Sequence, residues 1–405
     1  MSLSVSVIVV SRDRPAELAR CLTSLSQLDY RPFEVIVVSN SAGLKVASRF
    51  PARLVAFDEP NISAARNAGI VQAAGEVVAF IDDDAVAEPL WLHHLAAPFV
   101  DPEVSAAGGF VVGANGFSFE WMAGTVDRSL TCGALEVPPD RASLHRAAPD
   151  RAIEIKGVNC AYRRGVLARL GGFDPNLAYY LDETELNLRL AALGALVAVV
   201  PMARVHHAKA QSAIRRADRI PLSLWNIGAS TALTLRRQSA TKPELAAGEA
   251  RMIRHEEDKV ATLSKAGRIT ADEGTRLMAG LAEGFREGSG RDLSSLVPLG
   301  PPREAFREWP SPARQVRTFW GRAWQSAGLH RAAKAQVASG GIARVIRLSP
   351  TTFFHRLRFV PDGYWLQTGG LFGKSQRSDP LWRFWRFSAR CAREEERNRS
   401  GFWKS

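Results

Sequence analysis

Residues 76–89, EVVAFIDDDAVAEP, end an apolar run in three consecutive aspartates. Val77 to Ile81 have the composition of a buried strand, and Asp82, Asp83 and Asp84 follow it. Like charges crowded at one strand end repel, so the arrangement does nothing for stability by itself. An acidic solvated turn is the plain alternative, but the buried strand before it and Pro89 after it make a shaped turn. Carboxylates so placed can bind Mg²⁺ or Mn²⁺ through one or two oxygens and leave the other positions to phosphate and water. A bound divalent ion would offset their repulsion and the charge of a diphosphate leaving group.

A second acidic cluster lies in YYLDETELNLRL, residues 179–190. Asp182, Glu183 and Glu185 sit at the start of a helical pattern, where the dipole favours carboxylates. Glu185 and Arg189 have the i,i+4 spacing of a surface pair. A well-charged helix start accounts for these residues without chemistry; the chemical alternative is a base that takes the proton of an attacking hydroxyl. His206 and His207 follow the apolar strand ALVAVVP (195–201) and read as a pair on a loop.

The elements that must position these groups alternate. VSVIVV (5–10), FEVIVVS (33–39), RLVAF (53–57) and EVVAFI (76–81) read as strands. PAELARCLTSLSQL (15–28) and NISAARNAGIVQAA (61–74) read as helices, the first with Pro15 near its first turn and Leu18, Leu22, Leu25 and Leu28 on one face. Buried strands alternating with helices predict a largely parallel sheet covered on both faces, with ligands at the carboxyl ends of its strands. Further strands are expected at 105–114, 154–164 and 195–201, a helix at 181–193, and an irregular stretch over 117–150. Residues 216–286 are mostly helical and polar, and EGSGRDLSSLVPLGPP (287–302) reads as a linker.

The order SVSVIVVSRDRPAELARCLTSL, FEVIVVSNSAG, NISAARNAGIVQAAGEVVAFIDDDA and GGFDPNLAYYLDETELNLRL resembles glycosyltransferase family 2, whose fold is the nucleotide-sugar-binding GT-A fold. The resemblance spans about residues 3–215. It implies that Asp82 and Asp84 are the family's DxD motif, with Asp84 on the metal and Asp82 or Asp83 on the ribose or sugar. Arg66 and Asn67 match an ARN that shapes the donor site, and Val10 to Asp13, including Ser11 and Arg12, match the nucleotide-contacting loop. Where the family carries an acid that holds the base, this chain has Ser39 and Asn40; an Asn amide can still bond a pyrimidine edge, and the base stays open. The family's ED motif, whose second residue is the base, is here Asp182-Glu183, making Glu183 the expected base with Asp182 as the alternative. Gly171, Gly172, Phe173 and Asp174 match the loop on the acceptor side. A histidine after the last strand often binds the metal in the family, making His206 or His207 a candidate ligand.

Of 405 residues, 301–405 hold 20 Lys+Arg against 7 Asp+Glu, a balance of +13, whereas the first 300 stand near neutrality at −1. Seven of the ten tryptophans share that tail. DPLWRFWRFSARCAREEERNR (379–399) interleaves them with arginine, which suits an anionic bilayer surface, stacking on single-stranded nucleic acid, or a small packed domain with arginines outside. No run of about 18 apolar residues is present. The N-terminus lacks a basic region like that of a signal peptide, and the four cysteines are scattered without CxxC. A reducing cytoplasm is expected, with peripheral attachment at the inner face of the membrane. TGGLFGKS (368–375) nearly matches a P-loop, but Thr368 replaces the first glycine and no strand–loop–helix context is expected. Cys160 has no triad partners and reads as packing.

The sequence therefore predicts an α/β protein: a GT-A-like domain (1–215) with a mixed, mostly parallel sheet flanked by helices, a helical extension (216–290), a linker (291–302) and a basic, Trp-rich C-terminal region (303–405). The expected activity is sugar transfer, inverting and dependent on Mg²⁺ or Mn²⁺, from a nucleotide-sugar donor to a hydroxyl acceptor on a glycan or lipid-linked glycan. An inactive binding or scaffold protein on the same fold and a nucleotidyltransferase are the competing readings. Ser39/Asn40 favours the first of these; the lack of a Gly-rich basic loop, with only Arg12 and Arg14 near the first strand, opposes the second.

Overall fold

The computed structural model describes residues 2–208, 214–216, 218–238, 241–293, 295–376 and 378–402. Positions 209–213 and 217, beside the expected boundary at 215/216, lie outside the described residues. Four strands, β1 (Val5–Ser11), β2 (Phe33–Ser39), β3 (Arg53–Ala56) and β4 (Val77–Ile81), are linked by the helices α1 (Pro15–Leu25), α2 (Ser41–Ala47) and α3 (Ile62–Ile70). β1 pairs in parallel with β2 and β4, and β2 with β3. The β-branched residues of β1, β2 and β4 are almost all buried because helices cover both faces, as βαβ crossovers require.

The remainder of the domain is β5 (Ala85–Ala87), α4 (Trp91–Ala96), β6 (Val104–Val112), β7 (Phe119–Trp121), β8 (Gly124–Asp127), β9 (Cys132–Ala134), β10 (Ser143–Arg146), β11 (Arg151–Glu154), β12 (Asn159–Arg163), α5 (Arg164–Arg169), α6 (Asp182–Ala192) and β13 (Leu196–His207). The main sheet has ten strands, in the order β10-β13-β6-β12-β4-β1-β2-β3, with β5 on β13 and β7 on β6. β12 lies antiparallel between β4 and β6, so the sheet is mixed. The stretch 117–150, expected to be irregular, contains four short strands, and β8, β9 and β11 form a small separate sheet. The single strand expected at 154–164 is two strands broken at Lys156–Val158. That break lifts Lys156 out of the sheet.

Three helices follow: α7 (Trp225–Gln238), α8 (Lys242–Lys265) and α9 (Ala271–Gly290). Thr241 with Glu244, and Thr270 with Glu273, form capping boxes that start α8 and α9. α7 and α9 touch backbone to backbone: a Cβ on Gly284 would stand 2.1 Å from the Trp225 carbonyl oxygen.

The segment after α9 was read as a linker, but it is a docked strap. Leu299 N–H donates to the Ala168 carbonyl (2.9 Å), Arg303 N–H to Val71 (3.0 Å) and Trp309 N–H to Phe33 (2.7 Å). Trp309 is buried and stacks between Phe33 and Phe50. Buried Glu34 accepts the Arg307 N–H at 3.0 Å. The strap leads into a second α/β unit: β14 (Val316–Arg322), α10 (Ser326–Ala338), β15 (Ile342–Ser349), β16 (Arg356–Phe359), β17 (Trp365–Gly370), α11 (Phe387–Arg397) and α12 (Arg399–Phe402). Its sheet runs β14-β15-β17-β16, with only β16 antiparallel. The tail is thus a small packed domain whose core includes Trp365. Thr368 to Gly370 end β17, and turns and coil rather than a helix follow up to α11, so TGGLFGKS is not a P-loop. Among the described residues no helix is long and apolar enough to cross a membrane.

Replacing Trp309 with alanine removes the side chain that anchors the strap. It should cost about 3–5 kcal/mol of stability and expose the 291–315 segment to limited proteolysis, both measurable by chemical denaturation and peptide mapping.

Candidate active site

The carboxyl end of β4 is the centre of the site. The three aspartates form the turn between β4 and β5. Asp83 turns inward and is fully buried, where it accepts from the Ser11 hydroxyl at 2.7 Å and pairs with Arg14 at 2.6 Å. Asp82, half-buried, and Asp84, buried, cluster together on the side of His207. Arg14 also reaches Asp84 at 3.2 Å. Burial pushes the Asp83 carboxyl up to about 7, against the pull of Arg14. Burial also raises Asp82, with Arg66 opposing it and Asp84 adding to it.

His207 ends β13 and meets these two carboxylates. Its Nε2 lies 3.2 Å from Asp84 Oδ1, and its Nδ1 lies 3.3 Å from Glu120 Oε1. One donor atom each of Asp82, Asp84 and His207 falls within 4.8 Å of the others. Two carboxylate oxygens and an imidazole nitrogen suit Mg²⁺ or Mn²⁺ with open positions left for phosphate and water. Burial would lower the His207 pKa, but the hydrogen bonds to Asp84 and Glu120 outweigh it and lift it to about 10. The site therefore already attracts positive charge, and a divalent ion fits the donor set.

His206 points the other way, since adjacent strand residues face opposite sides. Its Nε2 lies 2.9 Å from Glu88 and its ring packs edge-on against Trp365 at 4.9 Å. Of the two candidate histidines, the fold brings only His207 to the aspartates.

The second acidic cluster stands across a cavity of about 840 Å³. Tyr180 and Leu181 both have positive φ, 74° and 64°, and this uncommon double twist aims the start of α6 into the cavity. Asp182 is ion-paired with Arg66, whose other nitrogen lies 3.4 Å from Asp82. Arg66 thus bridges the two acidic clusters from beneath, its charge stacked on Phe173 at 5.1 Å. Glu183 is half-buried and faces the cavity. Burial raises Asp182 most, with Arg66 opposing it. Glu183 moves the other way: burial would raise it, but Lys156 and then Arg66 hold it below its ordinary value. The two shifts run in opposite directions, favouring a proton on Asp182 and an ionised Glu183.

Residues 6–171 match the model of glycosyl transferase family 2. The chain carries a glycosyl transferase family 2 domain. It is 34% identical over 241 residues to the O-antigen biosynthesis protein RfbC of Myxococcus xanthus, covering 54% of this chain and 18% of that protein. It is 27% identical over 256 residues to the pre-mycofactocin glycosyltransferase of Mycobacterium tuberculosis, covering 61% of this chain and 51% of that protein. Over 193 residues it is 28% identical to the glucosyl-dolichyl phosphate glucuronosyltransferase of Haloferax volcanii, covering 44% of this chain and 57% of that protein. The chain spans less than two thirds of the length of each of these relatives.

Several expected site residues of this family 2 domain act behind the cavity wall. Asn67 clasps the Phe173 backbone, donating to its carbonyl at 2.7 Å and accepting from its N–H at 2.8 Å. Gly172 has φ 71°, and a Cβ there would stand 2.3 Å from Asn67 Oδ1, so only glycine fits. Phe173 and Asp174 are fully buried, Asp174 paired with Arg237 at 2.8 Å. These residues hold the acceptor-side loop and do not line the cavity. Glu185 and Arg189, expected as a surface pair, are a clamp of a buried carboxylate and a half-buried guanidinium that also donates to the Leu170 and Gly172 carbonyls. Burial pushes the Cys160 thiol up to about 12, as suits a packing residue.

At the donor end, Asn40 caps α2 through its oxygen and donates its amide to Asp13 at 2.6 Å. An exposed acid is therefore present near the end of β2, supplied by Asp13 from the loop after β1, where φ is 59°. Arg12 donates to the Asp58 carbonyl at 3.0 Å. Sequence reasoning missed Glu120, Trp121, Lys156 and the α8 side chains Arg251 and His255, all of which line the cavity. Lys156 stacks on Trp121 at 4.4 Å. A lone lysine inside an apolar stretch, EIKGVNC, was the available signal.

Removing the charge of Arg14 while keeping an unbranched apolar stem, Arg14→Met, strands Asp83 in the core. The expected loss is about 3 kcal/mol of stability, read by chemical denaturation, and simultaneous Asp83→Asn should recover part of it.

Proposed function

We propose that this chain transfers a sugar from a nucleotide-sugar donor to a hydroxyl acceptor by a single inverting displacement. The observation that carries the reading is one cavity with a cation-ready cluster on one wall and an ionised carboxylate, Glu183, on the other. Asp82, Asp84 and His207 would hold the divalent ion, which supplies compensation for the charge developing on the leaving diphosphate. Asp13, presented by Asn40, is placed to accept from a base edge. Glu183 takes the proton of the acceptor hydroxyl as it attacks, and Lys156 keeps that carboxylate ionised until it does. Trp121 offers a flat apolar face for a sugar ring.

The names of the relatives point to polysaccharide or lipid-linked glycan synthesis as the setting. Arg251 and His255 add positive and titratable groups to the cavity wall formed by α8, which suits an acceptor carrying a phosphate.

The test is a panel of nucleoside diphosphates with Mn²⁺ or Mg²⁺, read by thermal shift. One nucleotide should stabilise the protein only with metal, and Asp84→Ala should abolish the effect. No shift with any nucleotide would leave the domain without a donor site and favour a scaffold role.

Glu183→Gln should keep the nucleotide shift and lower kcat on the order of 10²–10⁴-fold. The wild-type rate should hold through neutral pH and fall only in acid, because the Glu183 pKa is depressed. Lys156→Met removes the first group that depresses it, so the acid limb of the pH–rate profile should move to higher pH.

A further inference from the structure

The C-terminal domain has its own surface chemistry, at the carboxyl end of its small sheet. β14, β15 and β17 are parallel, so the segments that follow them emerge on one edge. Trp324 follows β14, Phe353 and Phe354 follow β15, and Phe384 is stacked on Phe372 just after β17 at 5.7 Å. Trp324, Phe353, Phe354 and Phe384 are between 63% and 74% exposed, as is Leu381. Such a concentration of large apolar side chains at one edge is not what a free surface carries.

Basic groups are interleaved with them. Arg322 lies over Phe387 at 4.3 Å, and Lys374 over Phe354 at 6.0 Å. Between the loops is a cavity of about 590 Å³. Arg347, Thr368 and Arg356 form a cross-strand row in its wall, because Thr368 pairs with Arg347 on one side and Arg356 on the other. Among the described residues no carboxylate lines it. Arg347 is oriented by the Ser326 hydroxyl at 2.6 Å, at the start of α10, where the helix dipole adds positive potential.

We propose that this edge is a docking surface for an anionic phospholipid bilayer, with a headgroup phosphate seated between Arg347 and Arg356. The aromatic side chains enter the interfacial zone that Trp and Phe prefer. Single-stranded nucleic acid fits less well. It needs a basic groove that tracks a backbone, whereas Arg347 and Arg356 face a single cavity, and Leu381 offers no face for a base. The proposal stands apart from the transfer reaction, because none of its residues line the catalytic cavity.

Sedimentation of the full chain with vesicles tests it. Vesicles of phosphatidylcholine mixed with phosphatidylglycerol should carry the protein down, pure phosphatidylcholine far less, and added salt should weaken the association. Arg347→Glu with Arg356→Glu should lower binding on the order of tenfold or more. Phe353→Ser with Phe354→Ser, both exposed, should lower it without touching charge, and the thermal transition of each variant reports its folding. Failure to sediment with the mixed vesicles, equal sedimentation with neutral ones, or unchanged binding by both folded variants overturns the proposal. So does tighter binding to single-stranded DNA than to the vesicles. A failed nucleotide panel would leave this result unaffected.

Discussion

Three carboxylates at the end of one buried strand set the terms for everything around them. Their repulsion and desolvation must be met by positive charge, and the fold meets them from three directions. Arg14 comes from the loop after β1, Arg66 from α3 and His207 from the end of β13. The turn after β4 divides the labour. Asp83 is fully buried and paired with Arg14, and it ties the β1 loop to β4 through Ser11. Asp82 and Asp84 stand with His207 in one cluster whose donor atoms lie within 4.8 Å of one another.

Arg66 extends the same constraint to the acceptor side. It is buried, and a buried guanidinium is tolerated only when it is paired; its partners come from both acidic clusters. The geometry of the donor wall and of the α6 start are therefore coupled through one side chain. The left-handed residues Tyr180 and Leu181 are the local cost of aiming Asp182 at Arg66 and Glu183 at the cavity. Burial raises Asp182, while Lys156 and then Arg66 hold its neighbour Glu183 below its ordinary value.

Much of this was legible in the sequence because strand and helix periodicities carry it. The apolar run before Asp82, the acidic helix start at Asp182 and the order of strands and helices all appear in the structure near their expected positions. What was hidden depends on where chain segments bend. The sequence placed His206 and His207 together on a loop, but β13 continues through both, and alternation sends only one to the metal side. Glu120 comes from a three-residue strand and Lys156 from the break between two short strands, where no period of two or three and a half persists long enough to read. The 291–302 strap has a linker's composition, and the feature that docks it, Trp309, lies beyond it among other tryptophans.

β13 also explains why the basic domain belongs to the same machine. One of its last two residues faces the catalytic cavity and the other packs on Trp365 of the C-terminal sheet. Gln27 donates to the Gly363 carbonyl at 2.6 Å, and Leu90 N–H to the Gly401 carbonyl at 3.1 Å. Phe402 packs with Val86 just after the aspartates. These contacts come from several elements, so the second domain is fixed to the strand ends that carry the aspartates and His207. A surface on that domain is thereby fixed in orientation relative to the cavity. An acceptor delivered from such a surface would always approach from the same side, which removes an orientational search that would otherwise oppose productive binding.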